Sequence, residues 1–286
     1  KMLPKKIKFY KMNGLGNEFV IIDNLNLDHE IDAKLIKRLS KKSTGPGCDQ
    51  LISIDNAYEN RIKIRVWNQD ASEAEVCGNA SRCVAKLFFE KEDHEIIEIS
   101  TGKSKHICKK MANNQIIINM GQPSTSWKSI PTNYSSEDVL KFDYNFGIKE
   151  LVGQHLPSLV NIGNPHIIFW LDNVDKISYQ KLGPLIENHD IFPEKINVNF
   201  AQIIDPNQIG LIVWERGAGL TKACGSGASA VAYAGYKLNM VNSNVDIKLP
   251  GGILNVSIDE ENYVYKSGPA ELEYIEYYTG KNINEE

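Results

Sequence analysis

Two short segments of this chain resemble each other and lie 147 positions apart. Residues 75–85 read EVCGNASRCVA and residues 222–232 read KACGSGASAVA, so each cysteine is followed by glycine, a small polar residue and a run that contains alanine. The same offset relates further pairs: Asn17 and Asn164, Gln50 and Asn197, Trp67 and Trp214, Asn68 and Glu215. An ungapped register over this length predicts two homologous halves.

The composition narrows the class of protein. The chain has 286 residues, the length of one large domain or two ordinary ones, and 42% are hydrophobic, which is enough for buried cores. A net charge of −4 argues against a nucleic-acid surface, which is usually basic. No apolar run approaches the roughly 18 residues of a membrane span, and the first residues lack the apolar core of a signal peptide. We expect binding to neither nucleic acid nor membrane.

The cysteines are five in number, Cys48, Cys77, Cys83, Cys108 and Cys224, and their spacing is not that of a metal site. Zinc sites use clustered CxxC or CxxxH ligands, and none occurs here. An odd count without paired spacing favours a reduced, cytoplasmic protein. Cys48, Cys83 and Cys108 are not repeated at the offset of 147, so we interpret them as buried core residues.

The boundary between the halves is predicted from a polar stretch with two prolines at 122–147, which is typical of a crossover. Residues 271–280, ELEYIEYYTG, have the pattern of a strand that can return to pair with the first half. We therefore assign 1–121 with 271–286 to an N-terminal half carrying Cys77. Residues 122–270 form a C-terminal half carrying Cys224.

Alternating Val, Ile and Phe runs predict strands, such as those near 50–54 and 61–67. A helix is predicted around 31–42, and each repeated cysteine is expected to precede a helix, over 78–90 and 225–237. The fold class is α+β, with two pseudo-symmetric domains, each a mixed or antiparallel sheet wrapped around a central helix. We expect the active site in the cleft between them.

A cysteine at a helix N-terminus has a defined chemistry. The unpaired N–H groups and the positive end of the helix dipole can hold a carboxylate, and they favour thiolate over thiol. Packing of small residues is the alternative explanation for one such motif. However, packing would tolerate alanine or serine at either position, and the thiol is the group that is repeated. Two facing sulfurs can invert a stereocentre, since one thiolate removes a proton and the other thiol delivers one.

The motifs KMNGLGNEFVIID, DQLI, NQDASEAEVCGNASRC, GNPHIIF, NVNF and ERGAGLTKACGSGA resemble the diaminopimelate epimerase family in order and spacing, over nearly the whole chain. The resemblance implies the two-domain fold and conversion of LL-2,6-diaminopimelate to the meso form, a precursor of lysine and peptidoglycan. It also implies a homodimer. No pyridoxal lysine motif or metal site is visible, so we expect no cofactor.

The resemblance implies roles for individual residues. Cys77 and Cys224 become the acid/base pair, with His166 and Glu215 in supporting acid–base roles. Gly78-Asn79 and Gly225-Ser226 cap the α-carboxylate of the substrate. The remaining implied substrate contacts are Asn17, Gln50, Asn68, Asn164, Asn197, Glu215 and Arg216. Arg216 suits the distal carboxylate because a guanidinium binds carboxylates through two hydrogen bonds, and its counterpart in the other half is the uncharged Gln69.

Four positions depart from the family's pattern: Asn13, where many members have histidine; Glu18, where they have aspartate; Ala71, where they have glycine; and Leu220, where they have glutamate. None of the four is a proton-transfer or carboxylate-holding residue. Ala71 raises the question of whether the turn after Asn68 keeps its shape, and Leu220 lies close to Cys224 in sequence.

Two other functions fit parts of the sequence. A related cofactor-independent racemase of proline, hydroxyproline or histidine would share the cysteine pair, although proline-type relatives usually have histidine where Asn79 stands. A dinucleotide-binding module would use the GxGxxA pattern at 225–230 and Asp246. That fingerprint follows a strand directly, whereas here ERGAGLTKAC intervenes.

Overall fold

The computed structural model describes residues 6–25, 30–74, 77–102, 104–113 and 115–279. The chain divides into two compact units, Lys1–Ile118 with Gly268–Glu286, and Asn119–Ser267. In both units a mixed sheet accompanies two α-helices, which confirms the α+β class.

The first unit contains nine strands, β1 to β8 and β17, among its described residues. Their bounds are β1 Ile7–Gly14, β2 Asn17–Asp23, β3 Gln50–Tyr58, β4 Arg61–Asn68, β5 Glu73–Ala74, β6 Ile96–Ser100, β7 Lys105–Lys110, β8 Ile116–Asn119, which ends at the junction, and β17 Glu271–Tyr278. The sheet is mixed: β2 runs parallel to β3 and β4 to β6, while β1–β2, β3–β4, β4–β5 and β6–β7 are antiparallel. β17 pairs antiparallel with β1, as predicted for residues 271–280.

The second unit repeats this arrangement with β9 to β16. Their bounds are β9 Ser158–Asn161, β10 Pro165–Trp170, β11 Asn197–Asp205, β12 Gln208–Glu215, β13 Gly219–Thr221, β14 Asn244–Leu249, β15 Gly252–Ile258 and β16 Val264–Ser267. The pairs β10–β11 and β12–β14 are parallel, and β9–β10, β11–β12, β12–β13, β14–β15 and β15–β16 are antiparallel. β3 and β11, and likewise β4 and β12, begin and end 147 residues apart.

Each unit has one helix that begins directly after a repeated cysteine: α2, Gly78–Lys91, and α4, Gly225–Lys237. Eleven of the fourteen residues of α2 and nine of the thirteen residues of α4 are buried. A helix that is buried on nearly every face must pack against other elements on several sides. α2 packs against β1, β2, β6 and β7, and α4 packs against strands of its own unit from β9 to β16. Both predicted central helices are confirmed, within one residue of the predicted spans.

A second helix in each unit covers another face of the sheet. α1, Ala33–Ser40, contributes Ile36 and Leu39 to a core with strands β1 to β4. α3, Tyr179–Glu187, contributes Leu182 and Ile186 to the corresponding core of the second unit. The short 3-10 helices of the second unit are Trp127–Ser129, Val139–Lys141, Lys149–Leu151 and Val174–Lys176. None of the described helices has the length and apolar character that crossing a membrane requires.

Candidate active site

Cys77 caps α2 through its side chain. Its backbone is extended (φ −94°, ψ 161°), and its Sγ accepts a hydrogen bond from the N–H of Ala80 over 3.4 Å. The Sγ also lies 3.9 Å from Gln50 Oε1. Cys77 is half-buried, so its sulfur combines partial access with the helix N-terminus that the sequence predicts.

The turn between β1 and β2 positions Asn17. Its two residues, Leu15 and Gly16, both have positive φ, 53° and 82°, which is the geometry of a type I′ hairpin. The departure at Asn13 has a role here, because Asn13 Oδ1 accepts from the Gly16 N–H over 3.0 Å. Asn17 therefore begins β2 at a tightly fixed place.

Asn17 is joined to the start of α2 by a chain of side-chain hydrogen bonds. Asn79 Nδ2 donates to Asn17 Oδ1 over 2.7 Å, and Arg82 Nη2 donates to Asn79 Oδ1 over 2.5 Å. Arg82 is fully buried, and its Nε and Nη1 have no partner among the described residues. Since a guanidinium only donates, it fixes the orientation of the Asn79 amide. Asn17 Oδ1 consequently accepts from an amide whose orientation is fixed.

Gln50 and Asn68 lie opposite each other on β3 and β4, and Gln50 Nε2 donates to Asn68 Oδ1 over 3.2 Å. Asn68 in turn donates to Ser72 Oγ over 3.1 Å. The turn after Asn68 contains a left-handed residue, since Ala71 has a φ of 71°. At this departure from glycine, alanine adopts a conformation that is strained for a residue with a side chain.

Cys224 caps α4 in the same way as Cys77 caps α2. Its Sγ accepts from the Gly227 N–H over 3.3 Å and lies 3.4 Å from Ser226 Oγ. Burial raises the pKa of the Cys224 thiol to about 12, and Glu215 acts in the same direction; Ser226, the Gly227 N–H and Lys266 oppose them. The predicted preference of this helix N-terminus for thiolate is thus outweighed by desolvation at Cys224.

Two further predicted residues of the second unit, Asn164 and His166, are linked to Ser226. Asn164 Nδ2 donates to Ser226 Oγ over 3.3 Å, and Asn164 Oδ1 lies 3.0 Å from His166 Nε2. His166 is completely buried, and burial lowers its pKa to about 3. The imidazole is therefore neutral at physiological pH, and the Nδ1 lies 3.1 Å from Asn199 Nδ2.

A turn at the end of β12 presents Glu215 and Arg216. Buried Asn197 links this turn to β10, because its Nδ2 donates to Pro165 O over 2.8 Å and its Oδ1 accepts from the Arg216 N–H over 2.9 Å. Thr221 donates to Glu215 Oε1 over 2.5 Å. The Arg216 side chain is exposed and donates to Glu194 O over 3.1 Å, so its guanidinium stands at the surface of the unit.

Several residues near these side chains did not stand out in the sequence. Glu187 accepts from Trp214 Nε1 and from the Gly217 N–H, both over 2.8 Å, and so supports the turn that carries Arg216. Lys266 is 3% exposed, and its Nζ lies where a Cβ on Gly225 would stand. The strand alternation carried a signal for Lys266, since it shares a face of β16 with buried Val264.

Within each unit, the structure thus gathers most of the predicted residues near the start of one helix, while Asn197 and Arg216 lie at the turn after β12. In the first unit Gln50 contacts both Asn68 and Cys77, and Asn79 contacts Asn17. In the second unit a continuous series joins His166, Asn164, Ser226 and Cys224. No group of three or more His, Cys, Asp or Glu side chains that could hold a metal ion occurs in the part of the chain that the structure describes.

The fold is shared with several solved structures. A PhzF-family phenazine biosynthesis protein from Enterococcus faecalis superposes with a TM-score of 0.67 at 14% identity, covering 96% of this chain and 99% of that one. A hydroxyproline epimerase from Agrobacterium vitis, solved with trans-4-hydroxy-L-proline, gives a TM-score of 0.63 at 11% identity, covering 96% and 93%. At these identities the likeness concerns the fold alone.

The sequence gives the family. The family model of diaminopimelate epimerase matches residues 9–126 and 158–273. The diaminopimelate epimerase of Pelagibacter ubique is 40% identical over 265 residues, which cover 92% of this chain and 95% of that protein. The chain belongs to the diaminopimelate epimerase family, and it is an isomerase of the racemase and epimerase type.

Proposed function

We propose that this protein interconverts LL- and meso-2,6-diaminopimelate by a two-base reaction that uses Cys77 and Cys224 and no cofactor, and that it serves lysine and peptidoglycan precursor synthesis. The observation that carries the proposal is the repeated cap. In each unit a cysteine thiol takes a backbone N–H of the helix that follows it, Ala80 on Cys77 and Gly227 on Cys224. Family membership supplies the substrate.

The proton balance of the reaction is simple. A thiolate takes the α-proton of the substrate, the C–H bond breaks, and its electron pair stays on the α-carbon and spreads into the carboxylate. The second cysteine delivers its S–H proton to the opposite face of that carbon, and its sulfur is left as thiolate. The two cysteines thus exchange protonation states in each turnover, which requires one thiol and one thiolate at the start.

Cys224 is the thiol of the ligand-free enzyme in this proposal. Its pKa, raised to about 12 by burial and Glu215, keeps it protonated near neutral pH. Cys77 is the more accessible of the two, being half-buried where Cys224 is 5% exposed. The proposal therefore gives the role of acid in the ligand-free enzyme to Cys224 and the role of base to Cys77.

The substrate's reacting amino-acid group is proposed to lie against the two helix starts, where Gly78-Asn79 and Gly225-Ser226 offer unpaired backbone N–H groups to the α-carboxylate. Arg216, exposed at the end of β12, is assigned to the distal carboxylate. Glu215 and His166 support the cysteine pair. Further contacts with the ammonium and carboxylate groups are assigned to Asn17, Gln50, Asn68, Asn164 and Asn197.

We also propose a cytoplasmic homodimer built from two homologous halves, 1–121 with 271–286, and 122–270. Five free thiols are consistent with a reducing compartment. Tyr274, Ile275 and Tyr277 of β17 are exposed by 39, 45 and 53%, and side chains of this kind are suited to contact with a second copy of the chain.

A substrate panel tests the function. The purified protein is incubated in D2O with LL-diaminopimelate, L-proline, trans-4-hydroxy-L-proline and L-histidine, and deuterium at the α-carbon is measured by mass spectrometry. We expect rapid incorporation into diaminopimelate and much slower incorporation into the others. Preferred exchange of proline or hydroxyproline would assign the chain to the alternative racemase activity, and no exchange into any of the four would contradict the enzyme proposal.

A further inference from the structure

Asn199 is a buried amide that no part of the proposed reaction uses. It lies on β11 with 0% exposure, between Val198 and Phe200, which pack into the hydrophobic core on the other face of the sheet. Its Oδ1 has no hydrogen-bond partner among the described residues. A buried amide with an unpaired carbonyl is costly, so its presence calls for a reason beyond packing.

The orientation of the Asn199 amide is fixed by its neighbours. Asn199 Nδ2 lies 2.9 Å from the backbone carbonyl of Ile167, which can only accept. A flipped amide would place two oxygens against each other, so the N–H group must face Ile167. The same Nδ2 lies 3.1 Å from His166 Nδ1 and carries a second hydrogen for it. His166 Nδ1 therefore accepts.

The tautomer of His166 follows from this. A neutral imidazole has one donor and one acceptor nitrogen, so a ring that accepts at Nδ1 carries its proton on Nε2. Nε2 lies 3.0 Å from Asn164 Oδ1 and donates to it. That bond fixes the Asn164 amide, whose Nδ2 then donates to Ser226 Oγ over 3.3 Å. His166 and Asn164 each accept one hydrogen bond and donate the next one in the series.

The series ends at the reactive sulfur. Because Ser226 Oγ already accepts from Asn164, its own O–H is available for Cys224 Sγ, 3.4 Å away. A thiolate can only accept, so the Ser226 hydroxyl must donate whenever Cys224 is ionised. We propose that Asn199, His166, Asn164 and Ser226 form a one-directional hydrogen-bond relay that holds the Ser226 hydroxyl as a donor to the Cys224 thiolate.

In this relay Asn199 and His166 are positioning residues, and His166 supports the cysteine pair without gaining or losing a proton. Burial, which lowers the pKa of His166 to about 3, is consistent with a fixed neutral ring. Its counterpart at the offset of 147 is Phe19, and that of Asn199 is Ile52, so the relay belongs to the second unit alone. In the first unit Arg82 orients the amides instead.

The relay adds to other groups that act on the same thiol. Glu215 of β12 raises the pKa of Cys224, while Lys266 of β16 and the Gly227 N–H lower it. The positive charge of Arg216 lowers the pKa of His166, in the same direction as burial. Each variant below leaves these four groups in place. A change in the stability of the Cys224 thiolate is therefore due to the relay.

The first test is direct. Two-dimensional ¹H–¹⁵N spectra of the histidine side chains of the wild-type protein report which ring nitrogen carries the proton. We expect His166 to be protonated on Nε2 and unchanged between pH 8 and pH 5. In Asn199→Leu the lock on the ring is removed, and both tautomers should appear. A wild-type His166 protonated on Nδ1, or titrating in this range, would overturn the relay.

The second test follows the sulfur. In a Cys77→Ala background, the rate of Cys224 alkylation by iodoacetamide at pH 9 is measured by peptide mass spectrometry. Ser226→Ala and Asn199→Leu should each slow it about tenfold, the effect expected of one hydrogen bond to a charged group. Phe200→Leu, a core change on the same strand, should leave the rate unchanged. Equal rates in Ser226→Ala and its parent would refute the role of the hydroxyl.

This inference rests on the proposed function for its purpose, but the two can fail separately. Neither the histidine spectra nor the alkylation rates require a substrate, whereas the deuterium panel requires one. Thermal unfolding of each variant shows whether it is folded, and the wild-type spectrum needs no variant. A protein with the predicted tautomer and no exchange of diaminopimelate would keep the relay and contradict the function.

Discussion

The N–H of Ala80 donates to the sulfur of Cys77 over 3.4 Å, so a thiol stands where helices usually begin with serine, threonine, aspartate or asparagine. Gly227 and Cys224 repeat the arrangement at 3.3 Å. A thiol is a weaker acceptor than a hydroxyl or carboxylate. A cysteine at both helix starts therefore caps each helix less strongly than serine or aspartate would. This is the pattern expected when the sulfur performs the chemistry.

Lys266 should favour the thiolate of Cys224. It is buried on β16 beside Gly225, and it lowers the pKa of the thiol. In a Cys77→Ala background, Lys266→Met should slow alkylation of Cys224 at pH 9 by roughly tenfold, because the nearby positive charge is lost. Lys266→Arg should largely preserve the rate.

Lys248→Met, which removes an exposed lysine of β14, serves as the matched control and should have no effect. A Lys266→Met variant that alkylates as fast as its parent would show that this charge does not act on the sulfur.

His166 makes the protein less stable in acid. Its pKa in the folded state lies at about 3, below the ordinary value of 6.5, so the unfolded chain binds a proton that the folded one does not. The buried neutral ring costs no stability above pH 6.5, and the free energy of unfolding falls as the pH falls from 6.5 towards 3. We expect His166→Gln to flatten this part of the curve, by up to about 5 kcal/mol at its acid end.

The free energy of unfolding of wild type and His166→Gln is measured in urea at several pH values. The difference between the two proteins is compared, because the titration of carboxylates is common to both and cancels. His155→Gln, at an exposed position, is the control and should not alter the curve. Parallel curves for wild type and His166→Gln would mean that the ring takes up a proton in the folded state.

Ala71 should be replaceable by glycine with a gain in stability. Its φ of 71° lies in the left-handed region, where a side chain costs about 1–2 kcal/mol. Part of the relief is offset by the greater freedom of glycine in the unfolded chain. We expect Ala71→Gly to raise the free energy of unfolding by up to about 1 kcal/mol, measured by urea denaturation.

Ala57→Gly is the comparison for Ala71→Gly. Ala57 lies within β3 and has no positive φ, so glycine there should destabilise by about 0.5–1 kcal/mol. If both substitutions destabilised equally, the strain at Ala71 would not be real.

The neighbours of Gly227 leave no room for a side chain at this position. A Cβ at this position would stand 2.6 Å from Asn199 Oδ1 and 3.1 Å from Val213 Cγ2, so the start of α4 or β11 must move. Gly227→Ala should destabilise the protein by about 1–3 kcal/mol and disturb the His166 tautomer. Gly225→Ala should cost less, since the group nearest to its Cβ is the flexible end of Lys266.

Unfolding curves and histidine spectra of the two alanine variants distinguish these outcomes. A Gly227→Ala protein with wild-type stability and an unchanged His166 spectrum would show that the site adapts without moving Asn199.

Much of the fold could be read from the sequence because of the repeat. The helices after Cys77 and Cys224 are predicted within one residue, since an alanine- and serine-rich segment follows each cysteine and glycine. The helix α3 was not predicted, because it contains Gly183 and Pro184, and glycine and proline have the lowest helix propensities. The offset of 147 would have indicated it, as α1 corresponds to the same positions.

The site could be predicted only in part. Asparagines and cysteines in matching places identified the groups at the helix starts. The low pKa of His166 and the high pKa of Cys224 depend on complete burial, which local sequence does not give. Asn199 stands out only as a polar residue in an apolar strand, and its partner His166 is reached through strand pairing between β10 and β11.

The most direct test of the account is deuterium incorporation during a single inversion by wild type, Cys77→Ala and Cys224→Ala. In D2O, starting from LL-diaminopimelate, meso product formed by wild type should carry one solvent deuterium at the inverted carbon. Each alanine variant should form no meso product, because one face of that carbon has lost its acid or base. Full turnover by either variant, or meso product that retains the substrate's own hydrogen at that carbon, would contradict the two-cysteine account.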